Sequence, residues 1–184
     1  GEGCHQGAAS DVTRVCGCDV GCHWCDVKER WNAKTHPPPS LHAIADHAAK
    51  FSNTIVVTGG EPLTCHMHPL THLLKQTKLK IHIETSGAYP LSGHWDWICL
   101  SPKKRMLPTP EVYTKAHELK VIVYNKYDFK FAEEHAAKVS KDCILYLQPE
   151  LSVREKVTPF IVEYVMNHPK WKISLQTHKY LNIP

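Results

Sequence analysis

The chain has no apolar run approaching the ~20 residues of a membrane span, which excludes a spanning helix in these residues. It has no recognisable secretory leader. It begins at Gly1 and not at methionine, so a few native residues are expected to precede it. It has no internal repeat, linker or low-complexity segment, so one domain over residues 1–184 is expected. It also lacks any dense block of charge. The 22 basic and 18 acidic residues leave a net +4 scattered along the chain, and Lys103-Lys104-Arg105 is the only basic run. That pattern fits a solvated surface and excludes a nucleic-acid stripe or a membrane-binding face.

What is present is an ordinary globular composition, 42% hydrophobic and 22% charged in 184 residues, enough to bury a real core. Short β-rich runs alternate with helical stretches. Strands are predicted over Val12–Cys16, Thr54–Thr58, Leu79–Glu84, Trp97–Leu100, Leu119–Tyr124, Ile144–Gln148 and Ile173–Gln176. Helices are predicted over Leu41–Phe51, Pro69–Gln76, Pro110–Glu118, Phe129–Val139 and Pro159–Asn167, with Ser40 as an N-cap after Pro37-Pro38-Pro39. Such alternation makes βαβ units and a parallel sheet. A full eight-fold barrel needs ~250 residues, and the stretch from Glu84 to Trp97 has no room for a full helix. The fold class is therefore α/β: a partial, open βα barrel of about six parallel strands with fewer helices than a full barrel.

Functional groups of such folds sit at the carboxyl ends of the strands. Distinctive polar residues recur at that edge: Cys18, Gly59-Gly60-Glu61-Pro62, Glu84-Thr85-Ser86, Ser101-Pro102-Lys103, Gln148-Pro149 and Gln176-Thr177-His178-Lys179.

Eight cysteines are the next signal. Three crowd into Cys18-x3-Cys22-x2-Cys25, too close in sequence to make separate disulfide staples but able to reach one metal centre. This points to a reduced, cytoplasmic protein. Structural zinc usually takes four ligands as two separated pairs, and a second Cys-x2-Cys or a His-x3-His is missing; His23 or Cys16 would have to complete the set. A [4Fe–4S] cluster held by three thiolates leaves one iron open for a small-molecule ligand. Cys65, Cys99 and Cys143 are expected to be buried as small hydrophobes, and His66-Met67-His68 to start a helix.

The Cys-x3-Cys-x2-Cys spacing, with Trp24 just before the last cysteine, resembles the radical SAM superfamily. The resemblance implies that Cys18, Cys22 and Cys25 ligate the cluster and that the open iron chelates S-adenosylmethionine. Gly59-Gly60-Glu61-Pro62 is similar to the superfamily motif for the amino group of that cofactor, assigning Gly60 and Glu61. Read from chemistry alone, Gly60 permits close backbone approach and Glu61 can accept from an ammonium; Glu84 at a strand end can hold ribose hydroxyls.

The start Gly1-Glu2-Gly3, then Gly7, Arg14, Asp26, Thr58 and the terminal Gln176–Lys179 and Pro184 resemble the 7-carboxy-7-deazaguanine synthase family over essentially the whole chain. Ser101, Pro102, Lys103 and Gln148 are similar to its further cofactor contacts. The resemblance implies a carbon–nitrogen lyase of queuosine (7-deazapurine) biosynthesis. It converts 6-carboxy-5,6,7,8-tetrahydropterin to 7-carboxy-7-deazaguanine with loss of ammonia. It also implies a homodimer and an electron donor such as flavodoxin or ferredoxin. Arg14 offers a bidentate fork to the substrate carboxylate and shares strand parity with Cys18. Glu2 can accept from the pterin ring edge, and Thr58, His178 and the terminal carboxylate of Pro184 add polar contacts. The family pattern also places a threonine after the last cysteine as a Mg²⁺ ligand. Here Val27 follows Asp26, so Mg²⁺ would need Asp26 or other oxygens. A different small radical SAM enzyme, such as a glycyl-radical activating enzyme, would share the cluster loop and Gly59–Pro62 but would not need Gly1–Gly3, Arg14 or Gln176–Lys179. A non-catalytic zinc-stabilised domain would need none of these beyond the cysteines.

Overall fold

A computed structural model describes residues 2–25, 27–35 and 39–183. Gly1, Asp26, Pro37, Pro38 and Pro184, singled out above, lie outside the described residues. Seven parallel strands follow in chain order across one open sheet: β1 (Asp11–Val15), β2 (Thr54–Gly59), β3 (Lys80–Thr85), β4 (Trp97–Leu100), β5 (Glu118–Val123), β6 (Ile144–Pro149) and β7 (Trp171–Ile173). This is the expected open βα arrangement, with seven strands where about six were expected. The helices are α1 (Leu41–Phe51), α2 (His68–Gln76), α3 (Pro110–Lys115), α4 (Asp128–Ala136), α5 (Arg154–Asn167) and α6 (Thr177–Tyr180). No helix joins β3 to β4, as the short connection requires. No helix among the described residues is long and apolar enough to cross a membrane.

The strand period of two sorts the side chains. Ile55 and Val57, Ile81 and Ile83, Ile98 and Leu100, and Leu119, Val121 and Val123 are all buried against the helices. The alternate positions, Arg14, Thr58, Glu84, Lys120, Ile122 and Gln148, line a cavity on the other face. Burying each aliphatic side chain contributes about 1.5–3 kcal/mol, so the helical layer fixes the register and leaves the concave face free for polar groups.

Several boundaries shift for identifiable reasons. Ser40 does cap α1, its hydroxyl accepting from the Ala43 N–H at 3.1 Å. Helix α3 stops at Lys115, short of Glu118, because the sheet takes the next residues: the His117 N–H donates to the Ile98 carbonyl at 3.0 Å, and the His117 ring accepts from the Ile98 N–H. Helix α5 starts at Arg154, so Pro159 stands inside it and not at its first turn. Strand β7 begins at Trp171, which is buried, and ends before Gln176. Cys99 and Cys143 are buried as expected, whereas Cys65 is exposed at the start of the α2 segment. All eight cysteines are free thiols.

Two buried histidines make the fold sensitive to acid. His135 on α4 is 2% exposed, and its Nδ1 lies 2.6 Å from the Tyr113 hydroxyl. Burial lowers its pKa to about 4, and burial aided by His5 does the same to His82 on β3. The native state holds both neutral, so their contribution is fully present above the unfolded value of 6.5 and is lost as pH falls from there toward 4. Urea unfolding at about pH 7.5 and about pH 5 is expected to show a loss on the order of 2 kcal/mol per histidine. His135→Gln should lessen that pH dependence; an unchanged dependence would mean that His135 is protonated in the native state.

Candidate active site

The cysteine loop is set at the carboxyl end of β1 by backbone contacts. The Gly60 N–H donates to the Val15 carbonyl and the Glu61 N–H to the Gly17 carbonyl, both at 2.9 Å. A Cβ on Gly60 would lie 2.2 Å from the Gly17 oxygen and 3.2 Å from the Cys18 Cβ. The glycine pair is thus required by the approach of the cysteine loop itself. On the far side, the Gly17 N–H donates to Arg30 O at 2.7 Å and the Cys18 N–H to Trp31 O at 3.3 Å. Tyr89 bonds Asp19, Arg105 donates to the Gly21 carbonyl at 3.1 Å, and the Lys103 ammonium sits 5.3 Å from the Trp24 ring centre.

Cys18, Cys22 and Cys25 line one cavity of about 160 Å³ together with Glu2, Arg14, Thr58, Gly60, Glu61, Glu84, Ser101, Lys103, Gln148 and His178. Pro102 does not line it; it borders a neighbouring groove with His23 and Tyr124. Cys18 lies beyond the end of β1, so its direction comes from the glycine-docked loop and not from strand parity with Arg14. A second space of about 390 Å³ shares Glu2, Arg14, Thr58, Glu84 and His178 with the first and continues past Val56 to His82 and Trp97. The site is therefore two-chambered, with those five side chains on the shared wall.

The donor set at the cysteines suits an iron–sulfur cluster. Burial pushes the Cys18 and Cys22 thiols up, and the Trp31 indole N–H donates to Cys25 Sγ at 3.4 Å. Among the described residues no three His, Cys, Asp or Glu side chains converge as ligands of one ion. A [4Fe–4S] cluster takes cysteine thiolates, and this loop supplies three of them. Val27, which stands where a Mg²⁺ ligand was expected, brings hydrocarbon to the cavity, and Asp26, the other oxygen ligand considered, lies outside the described residues.

Those carboxylates are held in two ways. Glu61 is 2% exposed and accepts from Leu63 N at 3.0 Å, Thr85 Oγ1 at 2.5 Å, Ser86 N at 2.7 Å and Ser86 Oγ at 2.5 Å. Four donors fill its acceptor positions. Glu2 and Glu84 instead share the ammonium of Lys120, 2.5 Å from Glu84. Burial alone would raise the Glu2 carboxyl; Lys120 outweighs it, and with Gln176 and His178 brings it down to about 2. Arg14, by contrast, has no anionic partner among the described residues. Lys103 reaches Ser101 Oγ at 2.6 Å.

Glu2 enters the site because residues 2–5 pass beneath β5 to β7. The Gly3 N–H donates to Ser174 Oγ at 3.0 Å, and that hydroxyl donates to Gln148 Oε1 at 2.7 Å. A Cβ on Gly3 would fall 1.9 Å from a Glu118 carboxylate oxygen, and Gly3 has φ +58°. Lys120 was missed by motif reading, and Thr85 and Ser86, though placed at the functional edge, were given no role there. The signal for Lys120 was a charge in the middle of an apolar strand, Leu119-Lys120-Val121.

No family profile matches the chain. The chain is 65% identical over 184 residues to the 7-carboxy-7-deazaguanine synthase of Flavobacterium psychrophilum, covering 100% of this chain and 88% of that one. It is 32% identical to the enzyme of the same name from Escherichia coli K12, covering 100% and 94%. The crystal structure of QueE from Escherichia coli superposes with a TM-score of 0.80 at 26% identity, covering 96% of this chain and 89% of that one. Sequence and architecture agree: the chain belongs to the 7-carboxy-7-deazaguanine synthase family.

Proposed function

We propose that this synthase converts 6-carboxy-5,6,7,8-tetrahydropterin to 7-carboxy-7-deazaguanine, with loss of ammonia, by radical chemistry in the two-chambered cavity. The observation that carries this reading is the meeting of the three-cysteine loop with Arg14, Glu2, Thr58 and His178 in one space. Cys18, Cys22 and Cys25 would hold a [4Fe–4S] cluster, which when reduced would supply the electron for reductive cleavage of S-adenosylmethionine. A flavodoxin or ferredoxin is the proposed electron source, and a homodimer the proposed assembly.

The chain's own residues bind and orient. Arg14 presents a planar fork to the substrate carboxylate, and the lack of an internal anionic partner among the described residues leaves it available. Glu2, ionised by Lys120, accepts from the N–H and amino groups of the pterin edge; Thr58 and His178 complete that chamber. Glu84 accepts from the cofactor ribose, with Ser101, Lys103 and Gln148 lining the same cavity. Glu61 serves the cofactor indirectly. Its carboxylate fastens Thr85 and Ser86 while Gly60 and its backbone receive the amino group.

Two outcomes are expected of anaerobically reconstituted enzyme given reductant, S-adenosylmethionine and the tetrahydropterin. Wild type should form 7-carboxy-7-deazaguanine; cofactor cleavage with no such product would reject the reading. Arg14→Lys keeps the charge but loses the fork, so product formation should drop on the order of 100-fold while the cluster absorbance stays. Glu61→Gln turns one acceptor oxygen into a donor facing two donors. It should weaken S-adenosylmethionine binding and lower stability by about 1–3 kcal/mol, with calorimetric titration and urea unfolding as the measurements. Unchanged stability with lost binding would instead make Glu61 a direct ligand.

A further inference from the structure

Lys120 is 1% exposed at the middle of β5, and its flanking residues Leu119 and Val121 pack on the opposite, helical side. Its ammonium joins two carboxylates from separate parts of the chain: Glu2 of the N-terminal segment and Glu84 of β3. Both acids lie on the wall shared by the two chambers. Stability does not account for this triad. Withdrawing an ammonium and two carboxylates from water is costly, and apolar replacement of a buried ion pair is often neutral or stabilising. What the triad does provide is a fixed separation between two acceptor groups on the wall that both chambers share.

We propose that Lys120 is a positioning residue that sets the register of substrate against cofactor by holding Glu2 and Glu84 on a single cation. The inference rests on the roles given above to Glu2 at the pterin edge and Glu84 at the ribose. Glu2 reaches its place through a segment tied to β6 and β7, and Glu84 projects from β3, so nothing else in the triad links the two acids across the barrel. The one ammonium, reaching both within hydrogen-bond range, makes a shift of either acid a shift of both. Hydrogen abstraction by a deoxyadenosyl radical needs the substrate carbon within about 3–3.5 Å of the reacting atom, so this separation governs whether a radical, once formed, is used productively.

The test compares wild type, Lys120→Met and the double variant Lys120→Met/Glu84→Gln, all reconstituted anaerobically. The double variant keeps the triad at its original net charge of −1, so it remains informative where Lys120→Met alone folds poorly. The readout is 7-carboxy-7-deazaguanine formed per S-adenosylmethionine cleaved, a ratio independent of how much enzyme is folded. Wild type should make the product with tight coupling. Both variants should retain the cluster absorbance; Lys120→Met should cleave the cofactor, and the double variant, which also loses the proposed ribose contact of Glu84, should do so at raised S-adenosylmethionine, with coupling in each reduced on the order of 10-fold or more and the KM for the pterin raised. Wild-type coupling and KM in either variant would overturn the proposal and leave Lys120 a purely structural ion. Wild type that cleaves the cofactor but makes no deazaguanine would overturn the functional reading beneath it, a separate result.

Discussion

Everything in this molecule depends on the two-residue period of its parallel strands. Each strand gives its aliphatic side chains to the helices and its polar ones to the concave face. A slip of one residue in β5 would point Lys120 at the helical core and Val121 into the site. The same alternation that buries Ile55, Ile81 and Leu119 therefore aims Thr58, Glu84 and Lys120 inward. Stability and placement of the chemistry are one constraint.

Electrostatics then divides the cavity's charged groups. The acids lining the chambers are engaged within the chain, Glu61 by four neutral donors, Glu118 by the Cys4 N–H, and Glu2 and Glu84 by a buried cation. Neutral donors hold a carboxylate without adding charge, whereas the ammonium also keeps Glu2 ionised. Arg14 is the cation of that wall without such an engagement among the described residues, which makes the chamber receptive to an anion.

The fold and the cysteine loop were legible because they are written in local patterns. Apolar runs such as Thr54-Ile55-Val56-Val57 mark strands whatever surrounds them, and three cysteines within eight residues announce a shared ligand by spacing alone. Less legible were features set by distant contacts. Helix α3 yields to β5 because Ile98 claims His117. Gly59-Gly60 reads as a ligand-approach motif, yet the atoms that crowd Gly60 are those of Gly17 and Cys18. Lys120 carries no motif; only its burial between Glu2 and Glu84 gives it a role. Pro159 looks like a helix start because proline suits the first turn, but the residues before it, from Arg154 on, are already helical.

The tie between Gly3 and Ser174 spans 171 positions in the chain. The cysteine loop, in contrast, is fastened by residues no further along than Tyr124, Glu61, Tyr89 and Arg105 among them. During synthesis on a ribosome, the half of the cavity that holds the cysteines can therefore close while the last strand is still unmade. The half that holds Glu2 must wait for β7, since contacts of such long sequence separation form late and slowly. A nascent chain of this protein gathers its three cysteines before it can bring Glu2 to the cavity.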